Sequence, residues 1–221
     1  MMTKSHIFSL LKERLVSSFW MTLFFLFLGL LIHLFHGSKE IAYIIVLVFA
    51  LGCLTEWGYA CFSTGTIKSY YVWFLGSAFI FLGGLSFVQA FNTNGWTSWI
   101  IIITNSVCTD TFAYLCGSWL KGPKILPRVS PSKTYTGSIG TLILTPLCVM
   151  IVSCLLHHPI SWIDAVVLSI FAQTGDFLES WAKRHLEIKD FGSWIKGHGG
   201  LMDRTDSWWM SAIGYGIGPW I

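Results

Sequence analysis

The sequence predicts an all-α bundle of transmembrane helices, about seven spans with a cytoplasmic N-terminus, and three features carry that expectation. First, 54% of the 221 residues are apolar and only 11% are charged, against about 25% charged in a soluble domain. That is too little charge to cover a globular surface and too much apolar surface to stay solvated as a disordered chain. Second, apolar runs recur at close to the roughly 20 residues that a helix needs to cross a bilayer at 1.5 Å per residue. Third, the basic residues fall almost entirely on one side when the chain crosses at each run. Runs such as Met21–Leu31 do not alternate, which excludes a β-barrel. The six cysteines include no CxxC pair and do not form a secreted disulfide framework.

Taken in order, residues 1–17 place Ile7, Leu10, Leu11 and Leu15 on one face of an interfacial helix. The apolar stretch after Arg14 is too long for a cleavable signal and lacks a small-residue cleavage site. Spans are expected at 18–35, 41–58, 69–90, 97–118, 137–157, 161–181 and 205–221. The chain then divides into the interfacial helix, N-terminal transmembrane helices over 18–96, and a region 97–221 that holds both long polar loops, 119–136 and 182–204. Lys4, Lys12, Arg14, Lys68, Lys121, Lys124, Arg128, Lys133, Lys183, Arg184, Lys189, Lys196 and Arg204 fall on the cytoplasmic side, and only Lys39 of the 14 basic residues falls outside.

Acids within a bilayer are costly, so they are the first candidates for function. Glu56, Asp110, Asp176, Glu179, Asp203 and Asp206 lie in or beside spans, while Asp164 reads as an interfacial residue. Asp203 and Asp206 are three apart and share a helix face, where two like charges repel. A divalent cation between them reverses that cost, and Mg²⁺ suits one or two carboxylates together with substrate phosphates. Neutralisation by Arg204 and Lys183 is the plainer alternative. Gly197-His198-Gly199-Gly200 precedes this pair, and a glycine-rich turn at a helix start favours polyphosphate. The loop 119–136 holds Lys121, Lys124, Arg128 and Lys133 with no acid; taken alone it is also explained by the positive-inside bias and anionic lipid. Glu56 is read as either pairing with a loop base or snorkelling. The cysteines read as small hydrophobes, His157-His158 as a polar turn, and Trp20, Trp96, Trp99, Trp162, Trp181 and Trp220 as interfacial anchors.

The segment Ser180-x-x-Lys183-Arg184-x4-Lys189-Asp190-x-Gly192-x5-His198-Gly199-Gly200-x2-Asp203-Arg204-x-Asp206 resembles the motif of phosphatidate cytidylyltransferases, or CDP-diacylglycerol synthases. Gly175-Asp176-x-x-Glu179-Ser180 is similar to the family's acidic stretch. Asp110-x-x-Ala113-Tyr114-x-x-Gly117, followed by Ser130-Pro131-x-Lys133-Thr134-x-x-Gly137, is similar to its middle loop. The resemblance implies an Mg²⁺-dependent nucleotidyltransferase of phospholipid biosynthesis in the inner membrane, with a cytoplasmic site that joins CTP to phosphatidic acid and has no nucleic-acid partner. It implies catalytic roles for Asp203, Asp206, Lys183, Arg184 and His198. It implies substrate contacts from Ser130, Lys133, Thr134, Lys189, Gly199, Gly200 and Arg204, and metal ligation by Asp176, Asp203 and Asp206. Asp110 is left open between a further cation site and a partner for a loop lysine; a second, monovalent cation and a homodimer are also left open. Lys196, Ala182 and Thr136 depart from the family pattern. A CTP-dependent polyprenol- or phytol-type lipid kinase, a transporter and a non-catalytic scaffold are the alternatives.

Overall fold

A computed structural model describes residues 38–192 and 199–218. The expected interfacial helix 1–17 and first span 18–35 lie outside the described residues. Six helices follow within them: α1 (Lys39–Thr64), α2 (Ile67–Asn94), α3 (Trp96–Leu120), α4 (Tyr135–Leu155), α5 (Trp162–His185) and α6 (Met202–Ile217). Between α3 and α4 sit two short strands, β1 (Lys124–Leu126) and β2 (Ser130–Thr134). The described residues are therefore all-α apart from one small hairpin. Helices α1 to α4 are long and apolar enough to cross a membrane. The described helices start and stop within about six residues of the apolar runs, because polar flanks extend a helix beyond its apolar part.

Local chemistry sets the breaks. Gly65 ends α1 in the left-handed region at φ 61°, where a glycine carries no Cβ penalty. Thr66 then caps α2 by accepting the Ser69 N–H. Thr134 caps α4 by accepting the Gly137 N–H at 3.1 Å. Ser161 caps α5 by accepting the Asp164 N–H and donates its own hydroxyl to Asp164 Oδ2 at 2.6 Å, so Asp164 serves the helix start.

The loop 119–136 contains the hairpin. Its antiparallel strands pair Lys124 with Thr134 and Leu126 with Ser130. Pro127, whose fixed φ suits the second position of a turn, lies inside the turn closed by the Val129 N–H donating to the Leu126 carbonyl at 3.0 Å. Thr136 accepts the Gly122 N–H at 3.2 Å, which ties the end of α3 to the start of α4.

Small residues bring the helices close enough to bury polar groups between them. A Cβ on Gly137 would stand 2.6 Å from the Ala113 carbonyl, and one on Gly117 2.8 Å from Thr134 Oγ1, so α3 and α4 touch backbone to backbone. On the other flank, a Cβ on Gly175 of α5 would stand 2.7 Å from the Asp206 carbonyl of α6. Away from the site, Tyr215 is fully buried and receives a hydrogen bond from Asn94 Nδ2 at 3.0 Å. Trp99 is buried too, donating its Nε1 to the Phe87 carbonyl at 2.9 Å and packing edge-on against Phe87, Phe91 and Trp96. It is a core residue rather than the interfacial anchor its position suggested, because its indole N–H finds a protein acceptor inside the bundle.

Candidate active site

The motif residues converge at one end of the bundle, where the hairpin, the end of α5 and the start of α6 meet. Each is placed by a specific local contact. Lys133 on β2 forms an ion pair with Asp176 of α5 at 3.0 Å and lays its ammonium 4.2 Å above the Phe177 ring. Arg184, one residue from the end of α5, donates its Nε to the Val129 carbonyl at 3.1 Å and so ties α5 to the hairpin turn. Ser130 is buried at the start of β2 and Thr134 at its end, where it caps α4.

Lys183 joins the two sequence segments. Its Nζ lies 2.8 Å from Glu179 Oε2 and 2.6 Å from Asp203 Oδ1. Asp203 Oδ2 accepts the Gly200 N–H at 2.7 Å and the Phe191 N–H at 3.0 Å. Both residues lie outside the apolar runs 161–181 and 205–221. Burial works against the charge on each, and their mutual attraction outweighs it: the Asp203 carboxyl is held below the usual carboxylate range by Lys183 and the Gly200 N–H. The Lys183 ammonium is raised above its ordinary value by Glu179 and Asp203. Gly199 adopts φ 83°, in the left-handed region, beside Asp203 and Asp190. Lys189 is exposed in the segment that leads there. His198 and Lys196 lie outside the described residues.

The other acids face one another from three helices. Asp206 on α6 is buried, and it stands within electrostatic reach of Asp176 on α5 and Asp110 on α3. Asp110 is exposed, and Asp176, Asp206, Lys133 and Arg204 lie within electrostatic reach of it. Glu179 is buried between Asp203 and Asp206, and its Oε1 has no hydrogen-bond partner among the described residues. Asp203 and Asp206 therefore divide: one binds Lys183 and the loop, the other joins the acids deeper in the bundle.

The donor chemistry fits a hard divalent cation. Among the described residues five acids (Asp110, Asp176, Glu179, Asp203 and Asp206) gather with three bases (Lys133, Lys183 and Arg204), two more carboxyl groups than bases. Carboxylate oxygens are the ligands Mg²⁺ prefers. Among the described residues, though, no three such ligands already stand at coordination spacing.

Comparison with known proteins draws on this same stretch and extends beyond it. A family model described as "Cytidylyltransferase family" matches residues 3–217. The chain belongs to this cytidylyltransferase family. Among its relatives, the phosphatidate cytidylyltransferase of Rickettsia typhi is 32% identical over 192 residues, covering 81% of this chain and 82% of that one. That of Brucella abortus is 38% identical over 125 residues, 55% of this chain and 46% of the other. The Bacillus subtilis protein is 39% identical over 103 residues, 45% and 38% respectively. The chain thus spans about half the length of several relatives it matches.

Within this cytidylyltransferase chain, motif reading brings out Asp110, Lys133, Asp176, Lys183, Asp203 and Asp206, which the fold gathers at one end. It gives Glu179 no role, although its spacing of four from Lys183 is a helical ion-pair signal. It also leaves Glu56 undecided. Among the described residues Glu56 pairs with no loop base, and at 3% exposure it is buried rather than snorkelling. Its carboxylate accepts the Met202 N–H at 3.0 Å, because the start of α6 presents unsatisfied N–H groups to it. The departures are accommodated: Thr136 serves as acceptor for Gly122, and Ala182 is buried at 2% exposure.

Proposed function

We propose that the chain is a phosphatidate cytidylyltransferase, joining CTP to phosphatidic acid to form CDP-diacylglycerol and pyrophosphate at the cytoplasmic face of an inner membrane. The observation that supports this reading is the meeting of three acids, Asp110, Asp176 and Asp206, with the single base Lys133. Asp176 and Asp206, with Asp110, would hold Mg²⁺, which when bound supplies charge neutralisation on the nucleotide phosphates. Asp203 spends both oxygens on Lys183 and two backbone N–H groups, so its part is to fix the start of α6.

The lipid's phosphate monoester is largely ionised near neutral pH, so no strong base is needed to make it a nucleophile. One of its oxygens attacks the α-phosphorus of CTP, the bond from that phosphorus to the bridging oxygen breaks, and pyrophosphate leaves. The protein's work is positioning and charge compensation. Lys133 faces the site from the hairpin, while Arg184 and Lys189 are exposed at the end of α5 and can meet phosphates arriving from water. With the expected spans 161–181 and 205–221 crossing the membrane, this end of the bundle would lie at the inner leaflet. A soluble nucleotide enters there from the cytoplasm and a lipid headgroup from the side.

The test is an assay of the purified full-length protein with labelled CTP, phosphatidate and Mg²⁺, with and without EDTA. Cytidylylated lipid and pyrophosphate are expected, and both vanish with EDTA. Release of CDP instead would identify a lipid kinase, and ion flux in proteoliposomes without CTP would identify a transporter.

A further inference from the structure

The best-defined contact that the proposed chemistry leaves unused is made by Glu56. It sits on α1, far in sequence from every motif, and is only 3% exposed. Its Oε2 accepts the Met202 N–H at 3.0 Å, and its Oε1 has no hydrogen-bond partner among the described residues. The first N–H groups of a helix are unsatisfied within the helix and carry partial positive charge, so a carboxylate is held firmly there. Two glycines are shaped around it: a Cβ on Gly192 or on Gly200 would run into the Glu56 carboxylate. Gly200 is therefore gripped from both sides, by Glu56 against its Cα and by Asp203 through its N–H at 2.7 Å.

Neighbouring side chains of α1 hold the same region. Trp57 stacks on Phe191 with ring centroids 4.3 Å apart and donates its Nε1 to the Val72 carbonyl at 3.2 Å. Cys53 Sγ lies 3.4 Å from Thr205 Oγ1. One face of α1 is thus fastened to Phe191, Gly192 and Gly200 and to the first turn of α6.

We propose that Glu56 is a positioning residue for the active site: from α1 it locks Gly200 and the first turn of α6, and through them the orientations of Asp203 and Asp206. It acts through Gly200 and the helix start. As a statement about turnover, the inference rests on the cytidylyl-transfer reading above. As a statement about the helix start, it stands alone.

The experiment uses the full-length protein in detergent and two readouts, amide hydrogen exchange over residues 199–206 and cytidylyl transfer. Glu56→Ala is expected to speed exchange at Gly200 and Met202 by about fivefold, since a helix-start acceptor is gone. It should lower kcat by roughly tenfold or more and raise the Mg²⁺ concentration for half-maximal rate, with the KM for phosphatidate little changed. Glu56→Gln, which keeps an oxygen of the same reach for the Met202 N–H, should restore most of both. Gly200→Ala should reproduce the loss, and adding Glu56→Asp, one methylene shorter, should recover part of it. Val46→Ala, buried on the same helix 10 positions earlier, lowers stability without changing exchange at 199–206. The proposal is overturned if Glu56→Ala and Val46→Ala give the same exchange pattern, or if Gly200→Ala is as active as the parent chain. Absence of cytidylyl transfer in the parent chain would sink the functional reading alone. An unchanged exchange pattern in Glu56→Ala would sink the role of Glu56 alone.

Discussion

Asp203 and Asp206, one helical turn apart, make opposite demands on the fold, and neutralising each separates them. Asp203 is buried against Lys183 and accepts two backbone N–H groups. Asp203→Asn leaves the half-buried ammonium with Glu179 alone, and losing a charged acceptor of this kind costs about 1–3 kcal/mol. The expected outcome is a clear fall in the thermal midpoint of the detergent-solubilised protein, with activity falling alongside. Asp206 instead sits among Asp110 and Asp176, like charges that repel it. Asp206→Asn removes one repelling charge, so stability is expected to hold or rise while turnover drops by about 100-fold or more, the scale seen when one electrostatic group is lost from a catalytic site. Equal midpoints for the two variants, or full activity in Asp206→Asn, would refute this division. At this scale the sequence was informative wherever chemistry recurs in a motif. It left the partner of Glu56 undecided because nothing in the spacing of α1 shows which loop lies beneath it.

Among the secondary-structure elements, the seam between α3 and α4 sets where the hairpin stands. Gly137 and Gly117 let the two backbones touch, and Thr134 in the same seam caps α4 one residue after Lys133. A methyl group at Gly137 would meet the Ala113 carbonyl, which is backbone and cannot swing away. Gly137→Ala is expected to destabilise by about 1–3 kcal/mol, the usual cost of overpacking. Gly84 on α2 meets only Val46 at 3.6 Å in the same construction, so Gly84→Ala is expected to be neutral or stabilising by about 0.5–1 kcal/mol through lower chain entropy. Thermal melts of the two variants side by side check the contrast, and matching losses would rule it out. The helices themselves were legible from their apolar runs, since hydropathy depends on composition alone. The hairpin was not: β1 has three residues and β2 five, too short to show alternation, and Pro131 within β2 argues against a strand by propensity.

For the whole molecule, the asymmetry of basic residues makes a prediction about sidedness. A cysteine replacing Arg128 in the hairpin turn, in a chain whose native cysteines are changed to serine, should react with a membrane-impermeant maleimide in inverted vesicles and be protected in sealed right-side-out ones. One replacing His158, between α4 and α5, should show the reverse, and identical labelling of both would overturn the orientation. Order along the chain and the gathering of polar loops at one end could be read from charge, because the membrane forces successive spans to alternate. Which helices touch could not, because lipid is as apolar as leucine and the packing is decided by small residues. The hairpin is braced to α5 by two rungs of different character, the Lys133–Asp176 ion pair at its base and the Arg184 Nε–Val129 carbonyl bond at its turn. The Lys133 ammonium nitrogen is sheltered from water while Arg184 lies exposed, and dissolved salt screens a sheltered pair little, so a briny medium leaves the inner fastening of the hairpin intact.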